Sequence, residues 1–131
     1  MADMAAGDST QDTQSRLATH AALVAGLARP DAFPHPVDAV VLIETHISSV
    51  LLAGEFAYKL KKPVALGFLD FTTLAARQRY CEVELRLNRR TAPSLYLDVV
   101  TINGPADRPV IGGAGPVLEY AVRMRRFAGS A

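Results

Sequence analysis

Lys59 stands in Phe56-Ala57-Tyr58-Lys59-Leu60-Lys61-Lys62, and Glu82 and Glu84 follow in a later segment, Cys81-Glu82-Val83-Glu84-Leu85. An ammonium on a strand facing a carboxylate on a helix suits the binding of phosphate. The cation meets the phosphate oxygens, and the anion holds the cation where they will lie. Ala57, two positions before Lys59, is small enough to leave a flat surface against which an adenine ring could lie. At about 100° per residue, Glu84 falls about 60° from the centre of the apolar stripe through Cys81, and Glu82 about 100° away on the other side. Glu84 is therefore expected to face the sheet and Glu82 to face solvent. Two plainer readings stay open. Lys59, Lys61 and Lys62 could simply solvate an exposed strand face, and Glu84 could pair with Arg77 or Asn88 on its own helix.

The elements that must position these residues are legible in outline. Residues 1–14 are small and polar and predict a disordered tail. Leu17, Ala21, Val24 and Ala28 recur at helical spacing and predict a helix over 15–28, with Ser15 as N-cap. Pro30, Pro34 and Pro36 make the following stretch, to residue 38, an extended linker. A β-branched run predicts a first strand over 40–45, Thr45 to Ser48 a tight connection, and 49–53 a second strand. Gly54-Glu55 fits a two-residue turn into a third strand over 56–62, ended by Pro63. Residues 67–71 read as a loop leading to Thr72 or Thr73 as the cap of a helix over 74–90. Strands over 95–102 and 117–124 follow, separated by the turn at Asn103-Gly104-Pro105 and the loop at 112–115. The expected class is α+β, an antiparallel sheet of about five strands with one main helix inserted after the third strand, plus an N-terminal helix.

Composition narrows the function classes. The chain has 131 residues, 50% hydrophobic and 21% charged, which suits one globular domain. A net charge of +1 gives no case for nucleic acid as the main partner. The basic residues do cluster, at Lys59-Lys61-Lys62, Arg86-Arg89-Arg90 and Arg123-Arg125-Arg126. Cys81 is the single cysteine, so an internal disulfide is excluded, and as a mid-helix apolar position it reads as core. No stretch is apolar over the ~20 residues needed to span a bilayer, and no membrane partner is expected. A cytoplasmic location is the economical expectation. His20, His35 and His46 lie far apart without acidic or thiol partners at ligand spacing, so no metal site is expected. Neither a G-x-G-x-x-G loop nor a Walker A pattern is present. The hydroxyl-rich loop Thr45-His46-Ile47-Ser48-Ser49 is the candidate to contact phosphate instead. Asp70-Phe71 is followed by Thr72 and precedes the helix, which sets it apart from an Asp-Phe-Gly metal motif.

Several runs together carry a family resemblance. They are Glu44 to Ser48, Leu52 to Pro63, Gly67 to Leu74 and Cys81 to Pro93, and they resemble bacterial aminoglycoside-phosphotransferase-like proteins of the protein-kinase-like fold. Those proteins are often joined to a C-terminal P-loop kinase-like ATPase domain. The resemblance runs over about residues 16–128 and is to the N-terminal lobe alone, here residues 39–128. It implies ATP as the bound nucleotide, with Lys59 on its α/β-phosphates, Glu84 paired to Lys59, and Ser48 and Ser49 at the phosphate loop. It further implies Met124 at the back of the adenine pocket and Arg125 to Phe127 as the hinge, with 129–131 as a truncated hinge end. The catalytic loop, the Mg²⁺-binding residues and the C-terminal lobe have no counterpart here. No catalytic or metal-binding residue is therefore expected in this chain, and the isolated lobe is expected to be inactive. Two readings compete with an ATP-binding lobe: a non-catalytic α+β module that binds a partner or regulates an attached ATPase, and a binder of phosphorylated ligands that uses the three basic clusters.

Overall fold

The computed structural model describes residues 10–126. The fold is α+β, two helices with a curled antiparallel sheet of six strands. Helix α1 (Thr10–Gly26) leads through a short 3-10 turn (Pro30–Ala32) into the hairpin strands β1 (Val40–Glu44), β2 (Ser48–Ala53) and β3 (Phe56–Lys61). A two-residue-strand hairpin, β4 (Ala65–Leu66) and β5 (Leu69–Asp70), precedes helix α2 (Leu74–Asn88). Strands β6 (Tyr96–Asn103), β7 (Val110–Ile111) and β8 (Val117–Arg125) complete the chain order. In the main sheet the strands lie in the order β1-β2-β3-β8-β6-β7.

Alternation along β3 decides what each face of the sheet meets. Tyr58 and Leu60 point to one face, where they form the main core with Val24 of α1, Leu27 just past its end, Ala32 and Phe33 of the linker, Leu51, Ile102 and Ala121. Ala57, Lys59 and Lys61 point to the other face, toward α2. Gly54 makes the β2–β3 turn with φ of +61°, a conformation that favours glycine. A Cβ there would also lie 2.5 Å from the Pro36 carbonyl oxygen, so the turn and the linker fit only without a side chain.

The linker is tied down by His35, whose Nε2 lies 2.7 Å from the Tyr58 hydroxyl within a group of rings that includes Phe33 and Phe56. Thr73, one of the two expected caps, accepts a hydrogen bond from the Ala76 N–H at 3.1 Å and starts α2. Asp70 instead accepts from both the backbone and the hydroxyl of Thr72, which is a turn role. Helix α2 fully buries only Cys81, whose thiol is pushed up to about 12 by that burial. Its N-terminal half is anchored by Arg77, which donates through Nε to both oxygens of buried Glu119 on β8 and through Nη1 to the Phe71 carbonyl.

Three expectations change. Residues 10–14 are helical and Ser15 sits inside α1, because the helix gains its stability from Val24 and Leu27 packed downstream and extends past the polar start. The rest of the expected tail, residues 1–9, lies outside the described residues, as does Phe127 of the expected hinge. The main sheet has six strands, because Val110 and Ile111 pair with Asn103 and Ile102 ahead of the glycine loop. Residues 67–71 hold the turn and second strand of the β4–β5 hairpin, with Gly67 at φ of +70°. Leu27, which follows the last residue of α1, is fully buried in the main core. Leu27→Ala is expected to cost about 2–5 kcal/mol in urea denaturation. A loss under about 0.5 kcal/mol would mean that the segment ending α1 is not part of the cooperative unit.

Candidate functional site

Glu84 reaches from α2 to the sheet and accepts hydrogen bonds from two lysines of β3. The Lys59 ammonium lies 3.1 Å from Oε2 and the Lys61 ammonium 2.6 Å from Oε1. Side-chain exposure is 32% for Lys59, 10% for Lys61 and 13% for Glu84. Burial alone would raise the Glu84 carboxyl. The hydrogen bond and charge of Lys61, then those of Lys59, outweigh burial and hold it below the usual carboxylate range. Lys61 also stands over the Phe71 ring, 5.4 Å from its centroid. The three charges edge a cavity of about 340 Å³ whose other walls include Ile47, Ser48, Phe71, Tyr80 and Leu87. An apolar chamber with a net positive charge on one wall can take an anionic group attached to an apolar or aromatic body.

The expected pairing of Lys59 with Glu84 is thus present, and Glu82 is exposed as expected. Of the two on-helix alternatives, Arg77 turns to Glu119, and Asn88 bonds the Glu84 backbone carbonyl. Ser48 lies across from Lys61 in the β2–β3 register and lines the cavity. Ala57 pairs with Met124 on the same face as Lys59, beside the cavity and outside its lining. Among the described residues no group of three or more His, Cys, Asp or Glu could hold a metal.

Two expected contacts are not assembled here. Ser49 is one residue on from Ser48 in a strand, so it faces the α1 side and is fully buried. Its hydroxyl donates to Glu44 Oε1 at 2.6 Å and accepts from His20 Nε2 at 2.8 Å, which leaves no proton to donate to a phosphate. Arg125 pairs with Phe56, so its side chain lies on the face away from Lys59, and its backbone N–H donates to the Leu95 carbonyl. Arg123, on that same face, forms a two-point pair with Asp98. The phosphate-loop expectation also narrows. The N–H groups of Ile47 and Ser48 both donate to the Thr45 hydroxyl, and Lys62 donates to the Thr45 carbonyl at 2.6 Å. Arg86, Arg89 and Arg90 are exposed. Lys61 is the member of the site that reading the sequence for a single lysine–glutamate pair passes over. Its place two positions from Lys59, on the same strand face, was the available signal.

No family model matches the chain, and neither does any solved structure. The chain is similar to proteins of mycobacteria. It is 42% identical over 96 residues to Uncharacterized protein Rv2004c of Mycobacterium tuberculosis, a match covering 71% of this chain and 18% of that protein. The same figures hold for Uncharacterized protein Mb2027c of Mycobacterium bovis. The chain spans 18% of the length of these relatives.

His20 gives the stability of the fold a pH dependence. Because the Ser49 proton goes to Glu44, His20 donates from Nε2, and its Nδ1 is buried with no partner. Burial lowers its pKa from 6.5 to about 4, partly opposed by the charge of Glu44. The unfolded chain therefore binds the proton more readily. The stability tied to neutral His20 is complete above pH 6.5 and is lost as pH falls toward about 4. The loss is expected to be about 2–3 kcal/mol. Thermal or urea unfolding across this range should show it, and His20→Gln should remove it. An equal acid limb in that variant would rule the assignment out.

Proposed function

We propose that this chain is the ATP-binding small lobe of a protein-kinase-like, aminoglycoside-phosphotransferase-like small-molecule kinase. The observation that carries the reading is Lys59 bonded to Glu84 at 3.1 Å across the gap between sheet and helix, at the edge of a cavity. In this reading Lys59 contacts the nucleotide phosphates, and Glu84 limits where its ammonium can go. The small Ala57 and the adjacent Met124 offer the apolar surface on which adenine lies. Ser48, its hydroxyl bonded to that of Thr45, borders the phosphate end. A volume of about 340 Å³ is at the small end of the range usual for small-molecule sites, which suits a half-site.

Mg²⁺ does not fit the described residues by themselves, because Glu84 is committed to two lysines and no acidic cluster stands near it. The metal ligands, the general base and the phosphoryl acceptor are assigned to a C-terminal lobe of a longer protein, with a P-loop ATPase domain as a further partner. Ile47, Leu87 and Phe68, exposed at 41%, 49% and 92%, are apolar side chains that such a lobe would cover. The same exposed side chains favour a second reading, a non-catalytic module that regulates an attached ATPase. An ATP-dependent kinase of this kind would work in the cytoplasm.

Calorimetric titration with ATP and with adenosine tests the proposal. The chain is expected to bind ATP weakly. Lys59→Met is expected to weaken ATP at least about tenfold, roughly 1.4 kcal/mol, and to leave adenosine unchanged. Equal ATP affinity in a folded Lys59→Met variant, or no ATP binding by the chain, would defeat it.

A further inference from the structure

Glu84 gives one oxygen to each of two ammoniums, and the two lysines are not equivalent. Lys61 is the deeper, with the shorter contact of 2.6 Å, and its ammonium is also held over the ring of buried Phe71. Phe71 is itself fixed, its N–H donating to the Val64 carbonyl and its carbonyl accepting from Arg77. Lys59 is three times as exposed in its side chain, 32% against 10%, and its contact is longer at 3.1 Å. Among the described residues its one ion-pair partner is Glu84.

A lysine that must leave its carboxylate to meet a phosphate faces a difficulty. Removing one partner of a half-buried ion pair leaves the other charge without compensation, which is strongly unfavourable. Here Lys61 stays on the second oxygen, so Glu84 remains neutralised when Lys59 turns away. We propose that Lys61 is the positioning residue of this site: it holds Glu84 in place and neutral overall, so that the Lys59 ammonium is released to an incoming phosphate. This inference rests on the ATP reading of the same cavity.

The arrangement sets a selectivity. Two ammoniums and one carboxylate leave one positive charge in surplus beside the apolar chamber. A phosphorylated nucleotide matches that surplus, and an uncharged nucleoside does not. Lys62 takes no part, since its ammonium lies 3.3 Å from Glu44 and 2.6 Å from the Thr45 carbonyl oxygen. It therefore provides a control that removes the same charge from the same strand end.

The test has a ligand-free arm and a nucleotide arm, both on the whole chain. In the first, carboxyl NMR follows the titration of Glu84. Lys61→Met should raise its midpoint more than Lys59→Met does, and Lys61→Arg should leave it near the original value. In the second, ATP affinity should fall about tenfold in Lys61→Met and recover to within about threefold in Lys61→Met with Glu84→Gln. Lys62→Met should stay within about threefold throughout. Where Lys61→Met does not fold, Lys61→Gln takes its place. An equal or larger effect of Lys59→Met on the Glu84 midpoint would overturn the inference, as would failure of the double variant to recover. Equal losses in Lys61→Met and Lys62→Met would overturn it too, reducing the effect to bulk charge. Absence of ATP binding in the unmodified chain would instead remove the ATP reading, and with it this role for Lys61, while the titration arm still reports which lysine holds Glu84.

Discussion

The position of α2 depends on the carboxylate of Glu84. A helix that buries a continuous apolar stripe is held by area, but α2 fully buries only Cys81 and leaves Leu87 half exposed. Leu74, Val83 and Leu85 are only half-buried, and directional bonds add to that contact. Glu84 grips two strand lysines near one end, and Arg77 grips the buried carboxylate of Glu119 near the other. Pairs of this kind, shielded from water, are far more exacting about geometry than apolar contact. The same bonds that attach the helix therefore also set the spacing between cation and anion at the cavity wall.

The far face of the sheet works differently. There Val24 of α1 and Leu27 just beyond it meet Tyr58 and Leu60 in an ordinary apolar core, with one polar thread beside it. His20 on α1, Ser49 on β2 and Glu44 on β1 form a chain of hydrogen bonds that ends at Lys62. Burial raises the Glu119 carboxyl in the pair with Arg77, whereas the Ser49 hydroxyl and Lys62 outweigh burial and lower that of Glu44. The hydroxyl of Ser49 is spent on structure. It has no free base beside it and no exposure, and Ser48, though it lines the cavity, is nearly as buried with its Oγ 2.9 Å from the Thr45 hydroxyl.

Much of this was legible in the residues. The β-branched run from Val40, the glycine at 54 and Pro63 mark out the hairpin, and helical angle alone distinguishes Glu84 from Glu82. Parity was underused. Neighbouring residues of a strand face opposite sides, so Ser48 and Ser49 could not both meet one ligand. By the same rule Met124 and Arg125 had to divide between faces. The start of α1 was hidden because the polar residues 10–14 carry no apolar periodicity, and their helicity follows from packing further along. Depth was hidden as well: Lys59 and Lys61 have the same parity, and only the fold tells which one is sealed under α2.

Strand β1 lies at the rim of the sheet, and its central residues Val41, Leu42 and Ile43 are 46%, 42% and 44% exposed. They are joined to the molecule chiefly through the backbone ladder to β2, so their identities matter little to the interior. This leaves the segment open to substitution. A spectroscopic reporter or a solubilising charge at position 42 would tax the fold least, within reach of the loop that borders the cavity.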